Sequence, residues 1–168
     1  MTEKQKAELK HRIREAEYEE IRIYALRLTR NHALAEEFTQ ETFLRFLVQE
    51  EKSPIQARRA WLYRTARNLI FDFFRRQKKR EEICAYLTAV SSAGISQQAM
   101  LELEEKEMEE MLLQKINSLS PRHREAVRLK FQEKLRYDEI ADVMGETRSS
   151  VGKLLSEAIR QLREWMKD

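Results

Sequence analysis

Cations and aromatic side chains alternate along residues 55–80, which read IQARRAWLYRTARNLIFDFFRRQKKR. This segment holds nine Lys or Arg side chains and a single carboxylate, that of Asp72. Trp61, Tyr63 and three phenylalanines are interleaved with the cations. Cations neutralise phosphates, and aromatic faces stack on unpaired bases. The segment is therefore typical of a helix that binds nucleic acid, and it would suit a single strand.

A second segment with DNA-binding character lies near the C-terminus, at residues 119–162. Its pattern predicts a short helix closed by Gly145 as a C-cap, followed by a helix that Thr147 caps. Such a helix-turn-helix places its second helix in the major groove of DNA. An ordinary helical hairpin is the alternative. The side chains predicted to face outward from the second helix are Arg148, Ser149, Gly152, Lys153, Ser156 and Arg160.

Residues 35–51 have the opposite charge, with five carboxylates and one cation. Such a block cannot bind phosphate, but it suits a basic protein surface. Four side chains with the spacing i, i+3, i+4, i+7 share one helical face here, namely Glu37, Gln40, Glu41 and Leu44. A solvated helix surface is the simpler interpretation of this pattern taken alone.

The elements that must position these residues are predicted to be helices, because the chain of 168 residues has only three glycines and two prolines. Periodicity predicts helices at about 3–30, 33–49, 57–79, 98–117, 121–132, 137–144 and 148–166. We predict an all-α protein with two small helical domains. Three helices form a domain at residues 5–82, and four form a domain at residues 99–168. A flexible linker at 83–98, with a Ser-Ser-Ala-Gly core, joins them.

Several classes of protein are not expected. The single Cys84 excludes an internal disulfide and fits a reducing cytoplasm. No signal peptide is visible, and no apolar run approaches the ~20 residues needed to cross a membrane. The three histidines are scattered, and neither a Gly-rich phosphate loop nor a metal-spaced His/Cys cluster occurs. We therefore expect no enzyme, no metal and no cofactor.

Two pairs of segments together resemble a known family. ALAEEFTQETFLRFL at 33–47 and AWLYRTARNLIFDFFRRQKK at 60–79 closely resemble the second region of bacterial sigma factors of the extracytoplasmic-function (ECF) group. LSPRHREAVRLKFQEKLRYDEIADVMG and SSVGKLLSEAIRQLR, which together span 119–163, are similar to the fourth region of that group. The resemblance implies a sigma factor, which binds core RNA polymerase, directs it to promoters and helps to open the DNA.

The resemblance also implies a role for each surface. The face of Glu37, Gln40, Glu41 and Leu44 would dock on the coiled-coil clamp helices of the large catalytic subunit. The loop and helix between residues 52 and 79 would hold a flipped base of the −10 element on the non-template strand, together with the phosphates around it. The residues implied for the −10 element are Lys52, Gln56, Arg58, Arg59, Trp61, Tyr63, Arg64, Arg67, Asn68, Arg75, Arg76, Lys78 and Lys79. The outward residues of the last helix would read the −35 element.

Two alternatives to the sigma factor stay open. One is a helix-turn-helix repressor or activator whose N-terminal helices dimerise, which would bind duplex operator DNA alone. The other is an adaptor or an anti-sigma-like inhibitor, in which the basic helix would bind an acidic partner. A sigma factor would instead be a monomer when free and would bind its promoter weakly without polymerase. The resemblance further implies an anti-sigma protein as a partner. Trp61 could also be a plain core residue, and Arg136 stands where a serine commonly caps the short helix.

Overall fold

Helices form the regular structure of the described part of the chain. The computed structural model describes residues 3–87 and 105–167. Their helices are α1 (Glu3–Thr29), α2 (His32–Lys52), α3 (Arg58–Leu87), α4 (Glu105–Ser118), α5 (Pro121–Phe131), α6 (Tyr137–Met144) and α7 (Arg148–Trp165). α1, α2 and α3 pack on one another as an N-terminal group, and α4 to α7 form a C-terminal group. This arrangement confirms the predicted all-α fold with two small helical domains.

Aromatic side chains fill the space between the helices of the N-terminal group. The ring of Tyr24 on α1 lies 5.0 Å from the ring of Tyr63 on α3, measured between centroids. Phe38 on α2 packs edge-on against Phe73 on α3 at 5.4 Å. Aromatic pairs prefer such tilted and edge-on contacts to face-to-face stacking. These contacts fix how α3 is rotated about its axis, and that rotation decides where its cations point.

The helix is interrupted after α1, as predicted, by two residues: one ends α1 and the other caps α2. Arg30 takes a φ of 50°, a left-handed conformation that ends α1. The Asn31 side chain accepts a hydrogen bond from the backbone N–H of Leu34 at 3.0 Å. This bond satisfies one of the free N–H groups at the start of α2. α2 therefore begins at a fixed residue, which sets the face that it presents.

α3 is longer than the sequence predicted, because it runs to Leu87 rather than to about residue 79. The chain has neither Gly nor Pro between residues 75 and 87, so nothing in the sequence stops the helix there. Residues 83–87, which were assigned to the linker, are helical. The rest of the predicted linker and the predicted helix start near residue 98 lie outside the described residues. The boundaries at 5–82 and 99–168 stay predictions.

The helix-turn-helix has the predicted turn. Gly145 ends α6 with a φ of 68°, and the Thr147 hydroxyl accepts a hydrogen bond from the Ser150 N–H at 3.1 Å to cap α7. A guanidinium has no acceptor, so the Arg136 side chain cannot cap α6 as a serine would. The Glu139 carboxylate instead accepts a hydrogen bond from the Arg136 backbone N–H at 2.8 Å. α6 begins at Tyr137 as predicted, even though the usual capping residue is replaced.

The start of α5 has an unusual cap. Ser120 occupies the N-cap position and Pro121 the first turn, but the Ser120 hydroxyl makes no capping hydrogen bond. It is hydrogen-bonded to Nδ1 of His123 instead. Because proline has no N–H, one of the free donors at this helix start is already removed.

Two glycines of the helix-turn-helix should respond oppositely to the same substitution. Gly145→Ala puts a residue with a Cβ at a position whose φ is 68°, in the left-handed region that favours glycine. We therefore expect the free energy of unfolding to fall by about 1 kcal/mol. Gly152→Ala lies inside α7, where the added Cβ would meet only Tyr137 at 3.8 Å. Its higher helix propensity should raise the free energy of unfolding by up to about 1 kcal/mol. Urea denaturation followed by circular dichroism measures both; equal changes would contradict the assigned role of Gly145.

The two groups of helices meet along α3, an arrangement that the sequence did not predict. α3 packs against α6. One continuous hydrophobic core includes Tyr63 and Ala66 of α3 as well as Leu135 and Ile140 of the C-terminal group. The DNA-binding candidates of α3 thus lie beside the helix-turn-helix. Within the described ranges, no helix is long and apolar enough to cross a membrane.

Candidate nucleic-acid and protein interfaces

Two arginines of α3 are paired with carboxylates of the C-terminal group. Arg67 donates two hydrogen bonds to the Glu125 carboxylate, one of them at 3.0 Å, and both side chains are largely buried. Burial lowers the pKa of Arg67, but the hydrogen bonds and charge of Glu125 more than offset this and raise it. Arg64 donates to Oδ1 of Asp142 at 2.8 Å, in a pair that is about 40% exposed on each side. Both arginines were predicted to bind the −10 element.

A buried carboxylate lies at the centre of the same contact. The side chain of Glu133, in the loop between α5 and α6, is only 5% exposed. It accepts hydrogen bonds from Arg27 at 2.6 Å and from the Tyr63 hydroxyl at 3.2 Å, while its backbone carbonyl accepts one from Arg59 at 3.0 Å. Burial, followed by the charge of Glu133, raises the pKa of Tyr63 above its ordinary value. Arg59 also lies 3.7 Å from the Glu139 carboxylate.

Two other residues predicted to bind the −10 element lie at the start of α3, where they contact α1 and α2. Arg58 donates to the Glu17 carboxylate at 2.8 Å. Trp61 is half-buried, with its ring packed edge-on against Phe46 of α2 at 5.9 Å. Gln56 is exposed in the turn before α3 and lines a cavity of about 410 Å³ at the start of α3 and α6. Trp61 is thus a packing residue in this arrangement, whatever it contacts in a complex.

From Asn68 onward, α3 has several accessible polar side chains. Asn68 is exposed, and its side-chain oxygen accepts a hydrogen bond from Arg67 at 3.2 Å. Arg75 pairs with Asp72 of its own helix. The remaining exposed cations predicted for the −10 element are Lys52 at the end of α2 and Arg76, Lys78 and Lys79 on α3. The structure therefore divides the predicted set into a covered half and an accessible half.

The acidic face of α2 is exposed and includes apolar side chains that the sequence prediction missed. Glu37 and Gln40 are exposed, Glu41 pairs with Arg45 at 2.6 Å, and the Leu44 side chain is 59% exposed. A groove of about 460 Å³ beside this face is lined by Glu41, Leu44, Arg45, Val48, Gln49 and Trp61. Val48 and Leu47 are both exposed. An apolar centre with charged residues around it is typical of a protein-binding surface.

The outward face of α7 is accessible as predicted. Arg148, Ser149, Lys153, Ser156 and Arg160 are exposed, and Gly152 is half-buried. The missing side chain at position 152 leaves room for the Tyr137 ring, and the Lys130 ammonium lies 5.2 Å from that ring. Lys130 and Tyr137 extend the face onto α5 and α6. Their spacing in the sequence carries no sign of this, because only the turn brings them to α7.

One carboxylate on α7 is held by a histidine. His123 Nε2 lies 2.9 Å from the Glu157 carboxylate, and Lys153 lies 3.9 Å from the same group. The hydrogen bond to His123 lowers the pKa of Glu157. Glu157 therefore connects α7 to His123 of α5, and it also lies beside Lys153, one of the cations of the outward face. Among the described residues, no cluster of His, Cys, Asp and Glu could hold a metal ion.

Two models of known protein families match this chain, each over a different segment. The family model for sigma-70 region 2 matches residues 13–80, and the model for sigma-70 region 4 matches residues 109–162. These ranges contain most of the basic helix α3 and nearly all of the helix-turn-helix. Together they define a two-region protein of the sigma-70 type.

Relatives of the chain narrow this assignment. It is 32% identical over 129 residues to the ferric citrate uptake sigma factor FecI of Escherichia coli, covering 74% of this chain and 72% of FecI. It is 31% identical to the ECF RNA polymerase sigma factor SigL of Mycobacterium tuberculosis, covering 83% and 78%. It is 27% identical to SigM of Bacillus subtilis, covering 83% and 84%. The chain belongs to the ECF group of RNA polymerase sigma factors within the sigma-70 family.

A solved structure has the same fold. The sigma factor RpoE of Bartonella quintana, in its complex with the anti-sigma factor NepR, aligns with a TM-score of 0.61 and 23% sequence identity, over 99% of this chain and 98% of that chain. The family assignment confirms the sigma-factor hypothesis. It favours that hypothesis over the repressor or activator with a dimerisation domain.

Proposed function

We propose that three surfaces of this sigma factor carry out its three binding tasks. The face of α2 binds core RNA polymerase, the polar side of α3 binds the −10 element, and the outward face of α7 reads the −35 element. The observation that carries the division is that each surface has a different chemistry. α2 offers acids around an apolar groove, α3 offers cations with aromatic rings, and α7 offers a helix that fits a major groove.

The α2 surface supports docking on a basic protein partner. Glu37 and Gln40 are exposed on the same side as Glu41, and Leu44 gives this side an apolar centre. Charge complementarity supplies specificity and rate of association, while burial of the apolar centre supplies affinity. We assign this surface to the clamp helices of the large catalytic subunit.

The α3 surface supports capture of a melted strand. Asn68 is exposed, and so are the cations Arg76, Lys78 and Lys79, so all four can meet bases and phosphates. Extruding a base costs a few kcal/mol, which contacts in a pocket must offset. We assign the extruded base to the region of Gln56, Trp61 and Asn68, and the phosphates to the arginines and lysines around it.

The direct test is transcription by the purified chain and bacterial core RNA polymerase on a library of random promoters. Initiation from promoters that share two sequence elements is the expected result, and the sequences recovered would give the −10 and −35 preferences together. No association with core polymerase, combined with dimeric binding to duplex DNA, would contradict the proposed function. The matched control is core polymerase without the chain.

Replacement of Asn68 should separate DNA opening from initial binding. Asn68→Ala removes a side chain that can hydrogen-bond an unpaired base but leaves every cation in place. We therefore expect promoter opening to slow about tenfold, with little change in the affinity of the holoenzyme for closed duplex promoter. Permanganate reactivity measures opening, and filter binding measures the initial complex. Equal losses in both steps would make Asn68 a structural residue.

Further properties follow from this role. We propose that the chain has no catalytic activity of its own, since the polymerase performs the chemistry, and that it acts in the cytoplasm, where the polymerase works. We also propose that it is a monomer when free and that an anti-sigma protein regulates it, as the sequence resemblance implies. Sedimentation of the purified chain tests whether it is a monomer when free.

A further inference from the structure

A cavity of about 190 Å³ lies between α1, α3 and α5 and combines apolar walls with cations. Its apolar lining includes Tyr24, Leu28 and Phe71, while Arg124 and Arg128 of α5 supply the cations. We propose that this cavity binds a small aromatic acid, whose carboxylate the arginines hold and whose ring the apolar side chains cover. None of these five residues is among those assigned to polymerase or to DNA, so the site goes beyond the proposed function.

The two arginines of the cavity are bonded to neutral groups. Arg124 donates to the backbone carbonyl of Leu119 at 3.2 Å. Arg128 donates to the side-chain oxygen of Asn117 at 2.9 Å. Burial, followed by the charges of Arg124 and Arg30, lowers the pKa of Arg128. Like charges gathered in a half-buried place raise the free energy of the empty site, and a bound carboxylate would offset this cost.

One donor of this cluster is buried without an acceptor. Nε of Arg124 is shielded from solvent and has no hydrogen-bond partner in the part of the chain that the structure describes. Buried donors are paired in nearly all native proteins, so an orphaned one calls for an explanation. A carboxylate can accept from Nε and from a terminal nitrogen of the same guanidinium, in the two-bond geometry that arginine favours. Because Arg124 lines the cavity, an acid bound there would lie beside this group.

Phe71 supplies an aromatic wall that is already held in place. The Arg67 guanidinium lies over the Phe71 ring, 4.6 Å from its centroid, and Arg67 is itself paired with Glu125. Glu125 also lines the cavity, but this pair compensates its charge. The Phe71 side chain is 38% exposed, so ring surface is left for a ligand. A wall fixed before binding loses little conformational freedom when the ligand arrives.

The volume of the cavity selects the class of ligand. An apolar cavity of about 150 Å³ can hold benzene, so about 190 Å³ accommodates one aromatic ring with a carboxylate on it. A nucleotide, with a base, a sugar and phosphates, is too large for this space. Inorganic phosphate would satisfy the arginines but would leave the apolar walls in contact with water. A single ring that carries one anionic group matches both parts of the lining.

Three probes test the full-length chain, and each differs from the next in one feature. Benzoate has the ring and the charge, benzamide has the ring alone, and acetate has the charge alone. Benzoate should bind with a Kd of about 1 mM or below, and the other two at least about tenfold more weakly. NMR of the ¹⁵N-labelled chain measures this. The Nε–H signal of Arg124, identified by its loss in Arg124→Lys, should shift as benzoate is added.

Two variants with matched controls locate the bound probe. Arg128→Gln removes a cation of the cavity, and its control Arg122→Gln removes an exposed cation of the same helix that pairs with Glu146. Phe71→Ala removes the aromatic wall, and its control Phe74→Ala removes a ring of similar exposure on the same helix. Both test variants should weaken benzoate binding about tenfold, and both controls should change the Kd less than about twofold. Circular dichroism checks that each protein is folded.

Thermal unfolding without a probe distinguishes a binding cation from a structural one. Because like charges surround Arg128, Arg128→Gln should unfold at about the same temperature as the unaltered chain or at a higher one. A fall of more than about 5 °C would make Arg128 a structural residue and would overturn the site.

Two binding results would also overturn it, namely equal affinity for the three probes and an unchanged Kd for benzoate in both test variants. Transcription with core polymerase enters none of these measurements, so failure of the site and failure of the proposed function are observed separately.

Discussion

A chain carrying both Arg148→Ala and Lys153→Ala is expected to bind its −35 duplex about one to two orders of magnitude more weakly at 0.1 M salt than the unaltered chain. Both side chains are exposed on the outward face of α7, where they can meet phosphates along the groove. Each phosphate contact releases condensed counterions, so the logarithm of the affinity should fall with the logarithm of salt by about two units less in the variant. Anisotropy titrations over a range of salt measure both quantities.

The matched control removes two exposed cations elsewhere, with Lys4→Ala and Arg14→Ala on α1. It changes the net charge equally but leaves the helix-turn-helix intact, so its salt slope should equal that of the unaltered chain. The duplex is taken from the promoters recovered with polymerase. An unchanged slope in the α7 variant would show that neither Arg148 nor Lys153 meets a phosphate, and the −35 assignment would have to move to another face.

Local features of the fold could be predicted from sequence because each depends on neighbours in the chain. The helix-turn-helix follows from Gly145 and Thr147, whose conformational preferences act within one turn. The start of α2 follows from Asn31 in the same way. The predicted end of α3 was wrong for the complementary reason, because residues 80–87 carry no stop signal and the helix continues through them.

The contact between the two groups could not be predicted, since it joins residues far apart in the chain. Glu133 lies 70 residues from Tyr63 and 106 from Arg27, and no periodicity relates such positions. In the sequence Tyr63 has the appearance of a stacking residue, because it stands among cations. In the structure it is a core residue with one polar atom engaged. Residue type and spacing indicate what a side chain can bind, but packing decides whether it is accessible.

On the α2 surface proposed to bind polymerase, the sequence failed to predict which apolar side chains are exposed. Its acidic members were found from their i, i+3, i+4 spacing, but Leu47 and Val48 were missed. An apolar residue on a helix is expected to face the core, and only the packing of α2 shows that these two face outward. Glu41 was found, but its pairing with Arg45 was not. That pairing determines how strongly a charge reversal acts here.

Glu41→Lys is expected to weaken binding to core RNA polymerase by at least about tenfold, or about 1.4 kcal/mol. The substitution removes a carboxylate from the exposed face of α2 and also leaves Arg45 without the partner that lies 2.6 Å away. This part of the face therefore changes from nearly neutral to doubly positive. A basic partner that attracts the unaltered face would repel the variant, and like charges brought together at an interface are costly. Competition with a labelled sigma factor for core polymerase measures the change.

The control for this prediction is Glu164→Lys, an equal charge reversal at an exposed position near the end of α7. α7 and α2 do not pack against each other in the described structure, so the control leaves the α2 face unaltered. A salt titration adds a second criterion, because the loss in Glu41→Lys should shrink as rising salt screens the repulsion. If the variant competes for core polymerase as well as the unaltered chain does, α2 does not dock through this face. A loss that is independent of salt would instead point to the apolar groove around Leu44 as the main source of affinity.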